Sequence, residues 1–197
     1  MADYTETEVK LYVPHLEVVQ VRLERLGAKL VAPRVFERNV RYENAARTLT
    51  PNGIVLRLRQ DTHTRLTYKD NATVQNGIVS RFEAEVEVSD FDTMATILTK
   101  LGYSPYMVYE KYRTTYELDG AEIVLDELPY GNFVEIEGSA DAIERVIERL
   151  ELGGAARYPA SYVALFDNVR RNLGLQFTDL TFANFNGIVV PEKAFEA

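Results

Sequence analysis

TETEVKLYV, residues 5–13, sets Glu6, Glu8, Lys10 and Tyr12 on one face of a strand and Thr7, Val9, Leu11 and Val13 on the other, because strand side chains alternate with a period of two. A half-buried sheet can turn such a charged face to water. The fold depends on whether this face looks outward or into an enclosed space. The same alternation recurs along the chain. GIVLRLRQD (53–61) sets Arg57 and Arg59 against Ile54, Leu56 and Leu58, and TRLTYKD (64–70) sets Arg65, Thr67 and Lys69 against Leu66 and Tyr68. In SRFEAEVEV (80–88), Arg81, Glu83, Glu85 and Glu87 oppose Phe82, Ala84, Val86 and Val88. VYEKYRTTYEL (108–118) aligns Lys111 and Arg113 away from Glu110 and Tyr112. AEIVLDEL (121–128) aligns Glu122, Val124 and Asp126, and FVEIEG (133–138) aligns Glu135 and Glu137 against Val134 and Ile136.

Three of these strands lead into amphipathic helices: PHLEVVQVRLERLGA (14–28), SDFDTMATILTKLGY (89–103) and SADAIERVIERLEL (139–152). Pro14 is expected in the first turn of the first helix, Ser89 or Asp90 and Ser139 as caps of the others, and Gly27 and Gly102 as stops. Leu16, Val19, Leu23 and Leu26 make an apolar stripe. A fourth helix is expected over SYVALFDNVRRNLG (161–174). RVFERNVRYE (34–43) reads as a further strand before the turn TPNG (50–53), NATVQNG (71–77) as a loop, and Asp119-Gly120 as a hairpin turn. Eight strands, mostly joined by hairpins, predict an α+β fold: an eight-stranded antiparallel barrel with helices packed outside. The helix stripes need an apolar surface, so Ile54, Leu56, Leu66, Ala84, Val86, Val134 and Ile136 are expected beneath them. The charged face then lies inside, where its acids and bases must largely satisfy one another.

Composition limits the function. The chain has 197 residues, 46% hydrophobic and 26% charged, with a formal net charge of −8 and no cysteine. That suits one globular domain with a core, excludes thiolate chemistry and disulfides, and argues against a nucleic-acid-coating surface. No apolar run approaches a membrane span and the N-terminus carries no apolar leader, so a cytoplasmic protein is expected. His15 at a helix start and His63 in a hairpin loop read as surface residues. The tyrosines at 103, 106, 109, 112 and 116 read as core or sheet-face aromatics.

Two chemical sets converge on the predicted interior. Lys10, Arg57, Arg59, Lys69, Arg81, Lys111 and Arg113 suit a polyanion, the arginines offering forked donors to phosphate oxygens. Glu6, Glu8, Glu83, Glu85, Asp126, Glu135 and Glu137 form an oxygen-only set suited to Mg²⁺ or Mn²⁺. Together they describe a metal-bridged phosphate chain, held without a Walker loop or a dinucleotide fingerprint.

These motifs resemble the CYTH superfamily, the triphosphate tunnel metalloenzymes. The pattern Glu-x-Glu-x-Lys is Glu6, Glu8 and Lys10; LRLRQ, LTYK, the acidic strand with Glu83 and Glu85, EKYR, LDEL and FVEIE follow in the family's order, and SYVALF (161–166) is similar to its closing helix. The resemblance implies a tunnel holding a triphosphate on the basic residues and one or two divalent metals on the carboxylates. It divides the chain into a tunnel domain over 1–174 and an extension over 175–197. Many relatives carry an aspartate where ERNVRYEN has Asn39. The expected function is a metal-dependent triphosphatase acting on inorganic, nucleoside or thiamine triphosphate, with Lys111 as general base and Glu6 and Glu8 as catalytic metal ligands. The alternatives are a class IV adenylate cyclase and a non-catalytic polyphosphate or nucleotide-binding module. The expected partner is the small-molecule triphosphate, with a homodimer as the assembly considered; neither nucleic acid nor membrane is expected. The extension's Phe177, Phe182 and Phe185 either pack on the barrel exterior or cover one tunnel mouth.

Overall fold

Tight turns set the strand order. Asp119 and Gly120 both have positive φ (54° and 80°), as do Asn76 and Gly77 (52° and 78°), the conformation that twists two strands into a hairpin. The computed structural model describes residues 4–196. Its strands are β1 (Thr5–Tyr12), β2 (Lys29–Asn44), β3 (Val55–Gln60), β4 (Thr64–Gln75), β5 (Ile78–Val88), β6 (Tyr103–Leu118), β7 (Ala121–Leu128) and β8 (Gly131–Glu137). They close into one antiparallel barrel in the order β1-β5-β4-β3-β2-β6-β7-β8, with β8 returning to β1. The sequence reading underestimates several strands. NATVQNG is not a loop: β4 runs on to Gln75, and a register slip between Asp70 and Thr73 absorbs the polar residues. Such a slip bends a strand without ending it.

The helices are α1 (Leu16–Arg25), α2 (Phe91–Lys100), α3 (Ala140–Arg149) and α4 (Tyr162–Leu173). α1 and α3 cover the outer face of β1, β7 and β8, joining Leu16, Val19 and Leu23 to Val134, Ile136 and Ile143 in one core. α2 places Leu98 against Leu56, Leu58 and Val40. The Asp90 and Ser139 side chains accept from the amides of Thr93 and Ala142, capping α2 and α3. Pro14 lies just outside α1, whose cap position is His15.

The outer face is only partly covered. Leu56, Val134 and Ile136 are buried as expected, but Ile54, Leu66 and Ala84 are half-buried and Val86 is 56% exposed. Each helix lies where its own connection crosses the barrel. α2, joining β5 to β6, spans toward β3 and β6; it reaches Leu66 and Val88 of the β4–β5 hairpin but leaves Val86 mostly exposed.

α4 and the chain after it cover one end of the barrel with an aromatic cluster that includes Tyr130, Phe133, Tyr162, Phe166, Phe185 and Phe195. The extension is tied down by backbone bonds of Leu180 to Val108 and Glu110. The Asp179 carboxylate accepts from the Val108 amide, and that of Glu110 from the Phe182 amide. Phe177 and Phe185 pack with Phe166, and Phe182 packs on Tyr112, so these rings lie outside the tunnel. Among the described residues, no helix is long and apolar enough to cross a membrane.

Candidate active site

The inner faces of all eight strands enclose a cavity of about 350 Å³. Alternation puts Glu6, Glu8 and Lys10 of β1 inside, with Arg57 and Arg59 of β3, Lys69 of β4, and Arg81, Glu83 and Glu85 of β5. Lys111 and Arg113 of β6 and Glu135 and Glu137 of β8 line it too, and Asp126 of β7 lies behind them, 0% exposed. The structure thus brings together every residue expected at the site.

Opposite charges pair around most of the wall, as the cost of burying them requires. The Glu6 carboxylate accepts from Lys69 at 2.8 Å and from Arg81 at 2.7 Å; Arg81 also reaches Glu8 at 2.9 Å, and Lys69 reaches Glu83 at 2.9 Å. Lys10 pairs with Glu135 at 3.1 Å. Arg59 lies between Glu85 at 3.3 Å and Glu37 at 3.7 Å. Asp126 is a hub. Its Oδ1 accepts from Arg113 Nε at 2.7 Å, and its Oδ2 from Arg113 at 2.6 Å, Lys111 at 2.9 Å and the Tyr162 hydroxyl at 2.9 Å. Those four donors use the acceptor capacity of a carboxylate.

The electrostatics differ around the tunnel. Burial alone would raise the Glu6 carboxyl, but Lys69 and Arg81 hold it down at about 2. Glu37 is likewise held at about 2, against burial, by Lys111, Arg113 and Arg59. Glu137 behaves oppositely. Partial loss of hydration, then Glu6, Glu122, Glu8 and Glu83 in turn, push it up to about 7. Strand register explains the crowding, for Glu8 faces Glu137 across β1–β8 and Glu137 faces Glu122 across β8–β7. Like charges directly opposite on neighbouring strands repel, and no cation among the described residues pairs with Glu137.

This acidic row fits a hard divalent cation: its donors are all oxygen, and a cation would relieve its repulsion. Glu6, Glu8, Glu83 and Glu137 are the residues that would hold it. Among the described residues, no three metal-ligating side chains already converge on one point, since lysines and arginines occupy most of the carboxylates.

Several site residues escaped the sequence reading. Glu37 and Arg41 share the inner face of β2 with Asn39, and the period-two signal was present in ERNVRYEN (37–44). Tyr109 has the parity of Lys111 and Arg113, and its hydroxyl accepts from Arg57 at 3.1 Å instead of packing in the core alone. Tyr162 enters from α4, where its ring lies 4.6 Å from Lys10 Nζ and 5.4 Å from Lys111 Nζ. No spacing signal connects it to the strands.

Comparison with known proteins agrees with this geometry. The family model described as the CYTH domain matches residues 4–155. A candidate adenylate cyclase of Methanocaldococcus jannaschii is 27% identical over 150 residues, spanning 74% of this chain and 85% of that protein. Among solved structures, a candidate adenylate cyclase from Vibrio parahaemolyticus superposes with a TM-score of 0.70 at 19% identity, over 82% of this chain and 97% of that one. A Hippeastrum protein, described as an adenylyl cyclase candidate with a dominant triphosphatase activity, superposes with a TM-score of 0.63 at 20% identity, over 82% and 95%.

Proposed function

Because this chain belongs to the CYTH domain family, we propose that its barrel is a triphosphate tunnel and that it acts as a divalent-metal-dependent triphosphatase. One observation carries the reading: a closed tunnel lined by cations beside a row of mutually repelling carboxylates. Arg57, Arg59, Arg81 and Arg113, with Lys10 and Lys69, hold the phosphate chain by exchanging carboxylate partners for phosphoryl oxygens. Asp126 and Glu37 position Lys111, so its ammonium stands as fixed positive charge against the oxygens on which charge develops. In this assignment Lys111 stabilises charge and Asp126 orients it. Glu6 and Glu8, with Glu83 and Glu137, hold Mg²⁺ or Mn²⁺; Glu85 and Glu135 keep the arginines and Lys10 in place. A bound metal would supply charge neutralisation and a more acidic attacking water.

Hydrolysis is favoured over cyclisation because, among the described residues, the aromatic rings lining the tunnel are engaged or buried. Tyr162 has Lys10 over its ring, and Tyr109 is 6% exposed. The second reading is an adenylate cyclase, kept because the Methanocaldococcus jannaschii relative carries that provisional name. The deciding experiment incubates the protein with Mg²⁺ or Mn²⁺ and measures phosphate release from tripolyphosphate, ATP and thiamine triphosphate beside cyclic AMP formation from ATP. Phosphate release abolished by EDTA, and by Glu6→Gln or Glu8→Gln in a folded protein, is the expected result. Full activity in a verified metal-free preparation removes the mechanism, and cyclic AMP as the main product selects the cyclase.

A further inference from the structure

Among the described residues, the cations lining the tunnel have carboxylate partners with one exception, Arg41 of β2. It is 5% exposed, its Nε has no hydrogen-bond partner, and it lies 6.0 Å from the Tyr106 ring and within electrostatic reach of the Tyr109 hydroxyl, neither of which carries a full negative charge. The acids that share its strand face are committed elsewhere. Glu43 accepts from the amides of Asn44, Leu49 and Thr50, and Glu37 serves Lys111, Arg113 and Arg59. Arg41 also faces Arg57 in register across β2–β3, a like-charge pair that a sheet does not favour.

The surroundings lack an acceptor in the same way. Asn39, two positions earlier, is 0% exposed, and neither its amide nitrogen nor its oxygen has a partner. Arg57 Nε is also unpartnered. Tyr109 stands opposite Asn39 across β2–β6, and its hydroxyl accepts from Arg57, so the hydroxyl's own proton has no acceptor among the described residues. An unpaired buried guanidinium costs several kcal/mol, and water can hydrogen-bond it without neutralising it. Its complement is an anion with several oxygens. This place lies toward one end of β6, whose Met107 faces Arg41, while Glu117 near the other end faces the acidic row at Glu122.

Resting on the tunnel reading above, we infer that Arg41, with Asn39, Arg57 and Tyr109, is a phosphoryl subsite that receives the end of the phosphate chain farthest from the metal-binding carboxylates. The subsite measures chain length: a triphosphate reaches it from the metal side, and a diphosphate held at the metal side does not. Asparagine at position 39 matters to this. An aspartate there would neutralise Arg41 from within the wall and compete with the incoming anion.

Calorimetric titration with imido-linked, non-hydrolysable analogues of tripolyphosphate and pyrophosphate, in Mg²⁺ so that the metal side is occupied, tests this on the full chain. Arg41→Gln is expected to weaken binding of the tripolyphosphate analogue about 10- to 100-fold, the loss of one charge-assisted contact, while binding of the pyrophosphate analogue changes much less. Asn39→Asp is expected to weaken binding of the tripolyphosphate analogue in the same sense. Without ligand, Arg41→Gln is expected to melt at or above the wild-type temperature, because an unpaired buried charge is gone. Equal loss for both ligands, no loss for either, or a lower melting temperature of the ligand-free variant overturns the subsite and leaves the tunnel reading standing. A wild-type protein that does not bind the tripolyphosphate analogue overturns both.

Discussion

Replacing Asp126 by asparagine tests the charge network at its most connected point. The side chain is fully buried and accepts from Arg113 twice, from Lys111 and from Tyr162. The amide keeps the shape, removes the charge, and turns a donor toward groups that are themselves donors. Glu37 and Glu135 remain near Lys111 and Arg113, at 3.5 Å and 2.7 Å respectively, but each already serves another cation. Breaking a buried pair from one side costs about 3–5 kcal/mol, a large part of a total of about 5–15 kcal/mol for a domain. With a urea dependence of about 2 kcal/mol per molar, the unfolding midpoint should fall by about 2 M at unchanged slope, followed by circular dichroism. Asp126→Asn combined with Lys111→Met should recover part of the loss, because one uncompensated cation is then gone. A loss below about 1 kcal/mol, the range of exposed pairs, would mean that water reaches the hub and that the tunnel is not the enclosed space described above.

Glu137 gives a pH dependence of defined sign. Its carboxyl is raised from 4.5 to about 7, so the folded state holds the proton more tightly, and metal-free stability should fall as pH rises through that window. Glu137 is exposed, so screening leaves about 1 kcal/mol of effect; Glu137→Gln should flatten the decline in urea midpoints measured in EDTA, and an unchanged decline would refute the assignment. Leu56→Asp should unfold the protein, since Leu56 is 9% exposed against α2, whereas Val86→Asp should leave the melting temperature nearly unchanged because Val86 is 56% exposed. Tyr162→Phe should cost about 1 kcal/mol of stability through one lost hydrogen bond to Asp126; no measurable change would separate α4 from the charge network.

The period-two alternation is a property of the extended backbone, so the sequence alone determined which residues share a face. Glu6, Glu8 and Lys10 had to travel with Tyr12, and Arg57 with Arg59, whatever the sheet did next. Local chemistry likewise decided the Asp119-Gly120 turn and the caps at Asp90 and Ser139, because each is settled within a few residues. The direction of the charged face followed less directly, from helix stripes that need an apolar partner; Arg81, Glu83 and Glu85 do face the cavity, and what failed was the cover over Val86 on the opposite face, because nothing local told it that α2 would cross elsewhere. Partnership lay beyond the sequence altogether. Glu6 meets Lys69 and Asp126 meets Tyr162 only because barrel closure fixes the register between strands distant in the chain. The same closure leaves Arg41 without a carboxylate and the Asn39 side-chain amide without a hydrogen-bond partner, though their neighbours on β2 look no different in the sequence. Alternation is a single-strand property, whereas charge compensation belongs to the whole enclosed volume, so the one could be read along the chain and the other required the closed barrel.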